Sequence, residues 1–484
     1  MSARLSGMDR VDAAVGDAID AAVQRKHARR LRRLGSHALE PEGEGLWAAG
    51  TPPPRDGCRL EVLIDGEEAM AAIAAAIAEA RHSVHIMGWH IAPHFEMVRG
   101  ERPVVLGALL AEAAERVDVR VLVWAGAPIP LFHPTRAEVS AGVEGLTRQT
   151  RIRCERDPRE HPVHCHHEKA VIIDGTTAFV GGIDMTDFGG DRNDARGHPA
   201  RRRLGWHDVG TRLNGPAVAD VADHFALRWA EVTGETLDVE PEIAPCGEHT
   251  VQVVRTVAEG MYDRLPDGDF RILESYVRAL RAAQRYIYLE NQFLWAPEIV
   301  ELLAEKLRHP PSDEFRVLLV LPAKANNGHD DTRGQLGQLA DADGENGRLL
   351  AVTLRSLSGE REDPLYVHAK VGIVDDRWLT IGSANLNAHS LFNDTEMNVV
   401  TDDRDLARDT RLRLWAEHLD LEPGEIADQP PHAIIDERFA AVASDQLARR
   451  RSGRPPSHHL LELPGVSRRS RRLLGPLEGL IDDG

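Results

Sequence analysis

At 484 residues, with 42% apolar residues and a formal net charge of −19, the chain has material for the cores of two ordinary domains, and its acidity disfavours nucleic acid as a partner beyond a local basic groove. No run approaches the roughly 18 apolar residues of a membrane-spanning helix; the Ala-rich stretch Ala71 to Ala80 is broken by Glu79. Four cysteines, Cys58, Cys154, Cys165 and Cys246, form no CxxC pair, which argues against both a disulfide framework and a four-sulfur zinc site.

Residues 1–58 read as an N-terminal extension, helix-like through RKHARRLRRLG (Arg25 to Gly35) and ending in the turn-rich Pro52 to Gly57. Met1 to Leu34 lacks the basic start, apolar core and small-residue site of a secretory signal, so a cytoplasmic location is expected. EVLIDG (Glu61 to Gly66) then precedes a helical run through Ala80, followed by the alternating strand HSVHIMGWH and the apolar strand VRVLVW (Val119 to Trp124), of the kind buried in a parallel sheet. The acidic, Pro-bearing stretch Thr233 to Thr250 reads as a linker. Beyond it the order repeats: a helix around Leu273 to Ala283, the strand RYIYLENQF (Arg285 to Phe293), a helix through Leu307, and the strand FRVLLVLP (Phe315 to Pro322). Strands alternating with helices predict an α/β layered architecture, with domains at 59–240 and 241–427 and a basic C-terminal extension at 428–484. Basic runs at both ends, including ARRRSGR (Ala448 to Arg454) and SRRSRRLLG (Ser467 to Gly475), read first as solvated helix faces. Peripheral contact with an anionic membrane through these Arg-rich ends is kept as an expectation, because the rest of the chain is acidic.

The sharpest signal is a duplication. His167, Lys169 and Asp174 fit HxKxxxxD, and six residues later come Gly181, Gly182, Ile183 and Asp184; His368, Lys370 and Asp375 fit it again, followed at the same interval by Gly382, Ser383, Ala384 and Asn385. The chain has only five lysines among 58 basic residues, and two of them stand here. On a strand, residues i and i+2 share a face, so each histidine projects beside its lysine. A cation beside an imidazole, presented twice, suits a phosphate: the lysines neutralise oxyanions, one neutral imidazole attacks phosphorus, and the other, protonated, donates to the leaving oxygen. A candidate catalytic set of His167, Lys169, Asp174, His368, Lys370 and Asp375 follows, expected to work within one monomer. Asp174 and Asp375 lie at odd spacing from their histidines and sit where hairpin turns are expected, so a structural role is favoured for both. Asp208 in GWHDVG and Glu396 in NDTEMNVV are better candidates for orienting the imidazoles.

These motifs resemble those of the phospholipase D superfamily, and so do YLENQF (Tyr288 to Phe293) and RLGWHDV (Arg203 to Val209). The resemblance spans about Leu60 to Asp420. It implies two pseudo-twofold-related α/β domains, each a mixed β-sheet flanked by helices, with one active site at their interface. It also implies a covalent phosphohistidine intermediate and no cofactor or metal. By that resemblance His167 is the nucleophile and His368 the general acid, while Lys169, Lys370, Asn385 and Asp184, with Ser383 between them in the second motif, surround the phosphate. Asp184 stands where the family usually has Asn.

HPVHCHHEK brings His161, His164, Cys165 and His166 beside the first motif; with no second ligand cluster in the sequence, a loop or strand entry is preferred over zinc. Trp89, Trp206, Trp295 and Trp378 read as packing rather than a lipid-binding belt. Glu290, Asn291 and Gln292, at a strand end, are cleft candidates. The expected activity is phospholipase D-type cleavage of a phospholipid, with transfer to an alcohol in place of water. The runner-up is a phosphatidyltransferase of the cardiolipin synthase type, and a metal-independent nuclease comes third.

Overall fold

The apolar runs that the sequence marks as buried strands lie at the centres of two sheets in a computed structural model, which describes residues 7–128, 132–160, 164–201, 203–239, 242–323 and 329–463. In the first half the strands are β1 (Arg55–Ile64), β2 (Ser83–Gly88), β3 (Asp118–Trp124), β4 (Arg153–Asp157), β5 (Ala170–Ile173), β6 (Thr177–Gly181), β7 (Gly205–His207) and β8 (Val209–Asn214). Strands β2, β3 and β4 run parallel. On the other side of β2 come β5, β6, β8 and β1, each antiparallel to the last. The order is therefore β4-β3-β2-β5-β6-β8-β1.

The second half contains β9 (His249–Val257), β10 (Tyr286–Glu290), β11 (Arg316–Val320), β12 (Leu349–Ser358), β13 (Arg361–Val367), β14 (Val371–Val374), β15 (Trp378–Gly382) and β16 (Glu396–Thr401). Here β10, β11 and β12 are parallel, and β14, β15, β16 and β9 follow antiparallel on the other side of β10. The order β12-β11-β10-β14-β15-β16-β9 matches the first sheet strand for strand. Helices occupy matching connections too: Asp65–Glu79 and Arg271–Ala282 precede β2 and β10, and Val218–Thr233 and Arg404–His418 follow β8 and β16. The protein is thus a pseudo-twofold pair of α/β units, each a mixed sheet flanked by helices.

Period-two alternation explains how the pair packs. In β5, Ala170 and Ile172 join a core shared by both halves, whereas Val171 and Ile173 join the outer core beneath helix Asp65–Glu79. In β14, Val371 and Ile373 face the shared core and Val374 the outer core of the second half. Helix Val218–Thr233 contributes Val221, Phe225 and Trp229 to the shared core, and helix Arg404–His418 contributes Leu414 and Trp415. Each such side chain stabilises by roughly 1.5–3 kcal/mol when removed from water. Two backbone pairings also join the halves: β1 lies antiparallel to β9 at Arg55↔Val251 and Cys58↔His249, and β7 lies parallel to β13 through Trp206↔Tyr366 and Val367↔His207.

The helix expected in the N-terminal extension is Gly7–Arg33, but its basic run is not wholly solvated. Arg30 pairs with Glu259 and donates to the Phe392 carbonyl, and His27 meets Glu298 at 2.7 Å. Arg25, Lys26, Arg29, Arg32 and Arg33 remain exposed. At the other end, helix Ala440–Arg451 is followed by a short strand, Leu460–Glu462, that pairs with β12. The basic segment Ser467 to Gly475 lies outside the described residues, as does His161. Among the described residues no helix is long and apolar enough to cross a membrane.

Candidate active site

Each HxK motif leads into the strand beside its sheet's first parallel strand, and each meets the other half there. The His167 and Glu168 amides both donate to the Thr395 carbonyl, while the His368 and Ala369 amides both donate to the His207 carbonyl. This mutual docking brings the rings of His167 and His368 to a centroid separation of 6.4 Å. Each imidazole takes its carboxylate from the opposite half: His167 Nδ1 lies 3.0 Å from Glu396 Oε1, and His368 Nδ1 2.6 Å from Asp208 Oδ2. A carboxylate at Nδ1 holds the proton there and leaves the Nε2 lone pair for chemistry.

The lysines complete a cationic floor. Lys169 and Lys370 each donate to the carbonyl of the histidine two residues earlier, so the strand pairing fixes both at once. Lys169 also meets Asp184 at 3.1 Å, whereas the side chain that Lys370 meets is the neutral Gln292 amide, its oxygen 3.2 Å away. Gln292 accepts a further bond from Asn385 Nδ2 at 3.3 Å. Burial lowers the Lys370 ammonium to about 7. Burial, with both lysines nearby, pushes His167 well below its ordinary value, and burial does the same to His368. On the partners, burial raises Asp208 to about 6 and Glu396 well above the usual carboxylate range. At Glu396 the Lys169 charge and the hydroxyls of Ser383 and Ser390 oppose that shift, and they favour its ionised form.

Arg192 and Ser390 join the site without any signal in the sequence. The Arg192 guanidinium stacks 3.5 Å above the Trp206 ring, donates Nη2 to the Phe188 carbonyl, and keeps Nε and Nη1 buried without a protein partner. The Trp206 ring in turn lies 4.4 Å from His368, so Arg192 sets a third cation near that histidine. Trp89 meets His167 edge-on at 6.4 Å. Trp89 and Trp206 therefore wall the site, while Trp378 is core, bonded to Ser275.

This geometry corrects the catalytic assignment of several residues, and for Asp174 and Asp375 it agrees with the turn role preferred above. Asp174 and Asp375 are not at the histidines. Each follows its strand with positive φ, 54° and 58°. Asp174 accepts the backbone amides of Arg81, His82 and Ser83, and Asp375 those of Gln284, Arg285 and Tyr286. They fasten the turn to the start of β2 or β10, at the far end of the strand. Asp184 and Ser383 offer phosphate no free donor: Asp184 holds Lys169 and accepts from the Trp89 amide, and Ser383 donates to Glu396. Of the three cleft candidates only Gln292 reaches the site. Glu290 is fully buried between His207 and His418, 2.8 Å from each, and Asn291 braces the Phe293 and Leu386 amides.

Two family models match the two halves, "Phospholipase D" over residues 76–204 and "Cardiolipin synthase, PLD-like domain" over 276–415. The chain belongs to the phospholipase D superfamily. Phospholipase D A of Dictyostelium discoideum is 27% identical over 79% of this chain and 37% of its own length. Phospholipase D alpha 4 of Arabidopsis thaliana is 25% identical over 77% and 66%. The chain thus spans about a third to two thirds of these relatives. Among solved structures, phosphatidylserine synthase of Haemophilus influenzae Rd KW20 aligns with a TM-score of 0.49 at 13% identity, over 80% of this chain and 94% of that one.

Proposed function

We propose that this superfamily member is a phospholipase D-type phosphodiesterase that cleaves glycerophospholipids through a covalent phosphohistidine. The observation that carries the reading is the facing pair of imidazoles, each with a carboxylate at Nδ1 and a lysine bonded to its own carbonyl. Lys169, Lys370 and Arg192 would hold the phosphodiester oxygens, with Asn385 as a neutral donor. His167 Nε2 attacks phosphorus as the bond to the head-group oxygen breaks, and His368, which the bound phosphodiester anion and Asp208 hold protonated in the complex, gives its Nε2 proton to that oxygen. His368, now neutral, takes a proton from water, which attacks the phosphohistidine and releases phosphatidate with His167 restored. An alcohol in place of water gives a transferred phosphatidyl group. Matching of the second half to a cardiolipin synthase-like domain supports that transfer as the second reading, with a lipid hydroxyl as acceptor. The same resemblance to phospholipase D relatives is what favours lipid over nucleic acid.

Turnover of a mixed phospholipid panel, with and without ethanol and beside single-stranded DNA, tests this. Phosphatidate, and phosphatidylethanol when ethanol is present, are expected. Cut DNA with untouched lipid overturns the lipid assignment. His167→Ala and His368→Ala are each expected to abolish turnover, and acid-labile label from a radiolabelled substrate should appear only on chains that keep His167. Label on His167→Ala reverses the two roles.

A further inference from the structure

HPVHCHHEK holds several metal-binding side chains and the sequence offers them no second cluster; the fold supplies one. His389, in the short helix Ala388–Phe392, and Asp394, in the turn that leads into β16, bring the second half to His164 of the first. His164 Nδ1 lies 2.9 Å from His389 Nδ1 and 3.3 Å from Asp394 Oδ1, and the three ligand atoms all lie within 4.8 Å of one another. The backbone fixes this meeting: the Thr395 amide donates to the Cys165 carbonyl, the Cys165 amide to Asp394 Oδ1, and the Asp394 amide to the His389 carbonyl.

Hydrogen bonding alone serves this cluster poorly. A neutral imidazole has one proton, so the single Nδ1 of His164 cannot donate both to His389 Nδ1 and to Asp394 Oδ1. Asp394 Oδ2 is buried with no partner, in a side chain 1% exposed. Zinc–nitrogen and zinc–oxygen bonds of about 2.0–2.2 Å place tetrahedral ligands roughly 3.3–3.5 Å apart, close to the spacings seen. Two imidazoles and one carboxylate suit a borderline transition-metal ion and not the oxygen-seeking Ca²⁺ or Mg²⁺. His164 is 12% exposed and gives an ion a way in.

We propose that His164, His389 and Asp394 form a Zn²⁺-class site that clamps the two halves together behind the His167–Glu396 pair. A second group, Asp65, His198, His207 and Glu417, is a weaker site because both ring nitrogens of His207 are already bonded, to Asp65 and Glu290.

The full chain, stripped with dipicolinate and desalted, is titrated with Zn²⁺ by competition calorimetry, and its Co²⁺ form is examined by visible and X-ray absorption. One tight zinc per chain is expected, with tetrahedral Co²⁺ bands and two imidazole ligands. His164→Ala and His389→Gln should each weaken zinc by more than ~100-fold, beyond the loss of an outer-sphere partner. His164 is partly exposed, so that variant should keep its far-ultraviolet circular dichroism. No zinc on the wild-type chain, unchanged affinity in both variants, or any imidazole count other than two overturns the proposal. None of these readouts depends on lipid turnover, so the activity proposed above stands or falls separately.

Discussion

Lys169 and Lys370 occupy equivalent positions but not equivalent charge environments. Asp184 compensates the first; the second faces a neutral amide and is lowered by burial to about 7. Lys370 is therefore charged below that pH and loses its charge above it. For a phosphodiester substrate KM is expected to rise several-fold between roughly pH 7 and 8, and Lys370→Arg, whose charge does not titrate there, should flatten that rise. A KM flat with pH in the wild-type enzyme would contradict the assignment. Asp174 makes the opposite kind of prediction. Burial opposes its ionisation, but the amides of Ser83, Arg81 and His82 outweigh this and hold the carboxyl below its ordinary value. The stability it supplies is present above the ordinary carboxylate range and is lost as pH falls through the lowered value. Asp174→Ala should cost about 2 kcal/mol in denaturant unfolding, with kcat per folded molecule little changed. The histidines and lysines were legible in the sequence because strand periodicity is local. Arg192 was not, because its place over Trp206 depends on a loop folding back across the first half.

At the scale of elements, the small residues after each motif have a steric reason. A Cβ on Gly182 would come within 2.2 Å of Asp208 Oδ1, so the bare backbone is what lets that carboxylate reach His368. At the equivalent place in the second half stands Ser383, whose hydroxyl instead donates to Glu396. Gly182→Ala should displace Asp208 and lower kcat by about 100-fold while far-ultraviolet circular dichroism stays native; wild-type kcat would show that the carboxylate is not needed where it sits. The alternation of helix and strand, and its repetition, could be read from apolar runs such as VRVLVW and FRVLLVLP. The exchange of carboxylates could not, since Asp208 and Glu396 are paired with histidines 160 and 229 residues away. The role of Glu290 was hidden for the same reason: His207 and His418, which surround it, come from two distant elements.

For the whole molecule, a shared core, two strand pairings and the backbone bonds at Thr395 and His207 hold the halves together. We propose the stretch around residues 234–248 as the boundary between them, and a chain cut there should keep its activity. Residues 59–240 alone should show no turnover and should expose the apolar face that the second half covers in the shared core, seen as dye binding. Mixing the two pieces should restore turnover and remove the dye binding. Activity in one half alone would remove the need for a joint site. The acidic surface around a small cationic site should also favour a substrate whose charge is presented at a head group over an extended polyanion.

The exchange of carboxylates has a consequence in time. During synthesis His167 leaves the ribosome more than two hundred residues ahead of Glu396, and until the second half arrives its imidazole has neither an orienting partner nor a facing acid. On the proposed reading, chemistry therefore waits for the second half: a nascent chain that has folded only its first sheet lacks both Glu396 and His368 and cannot turn over a phosphodiester.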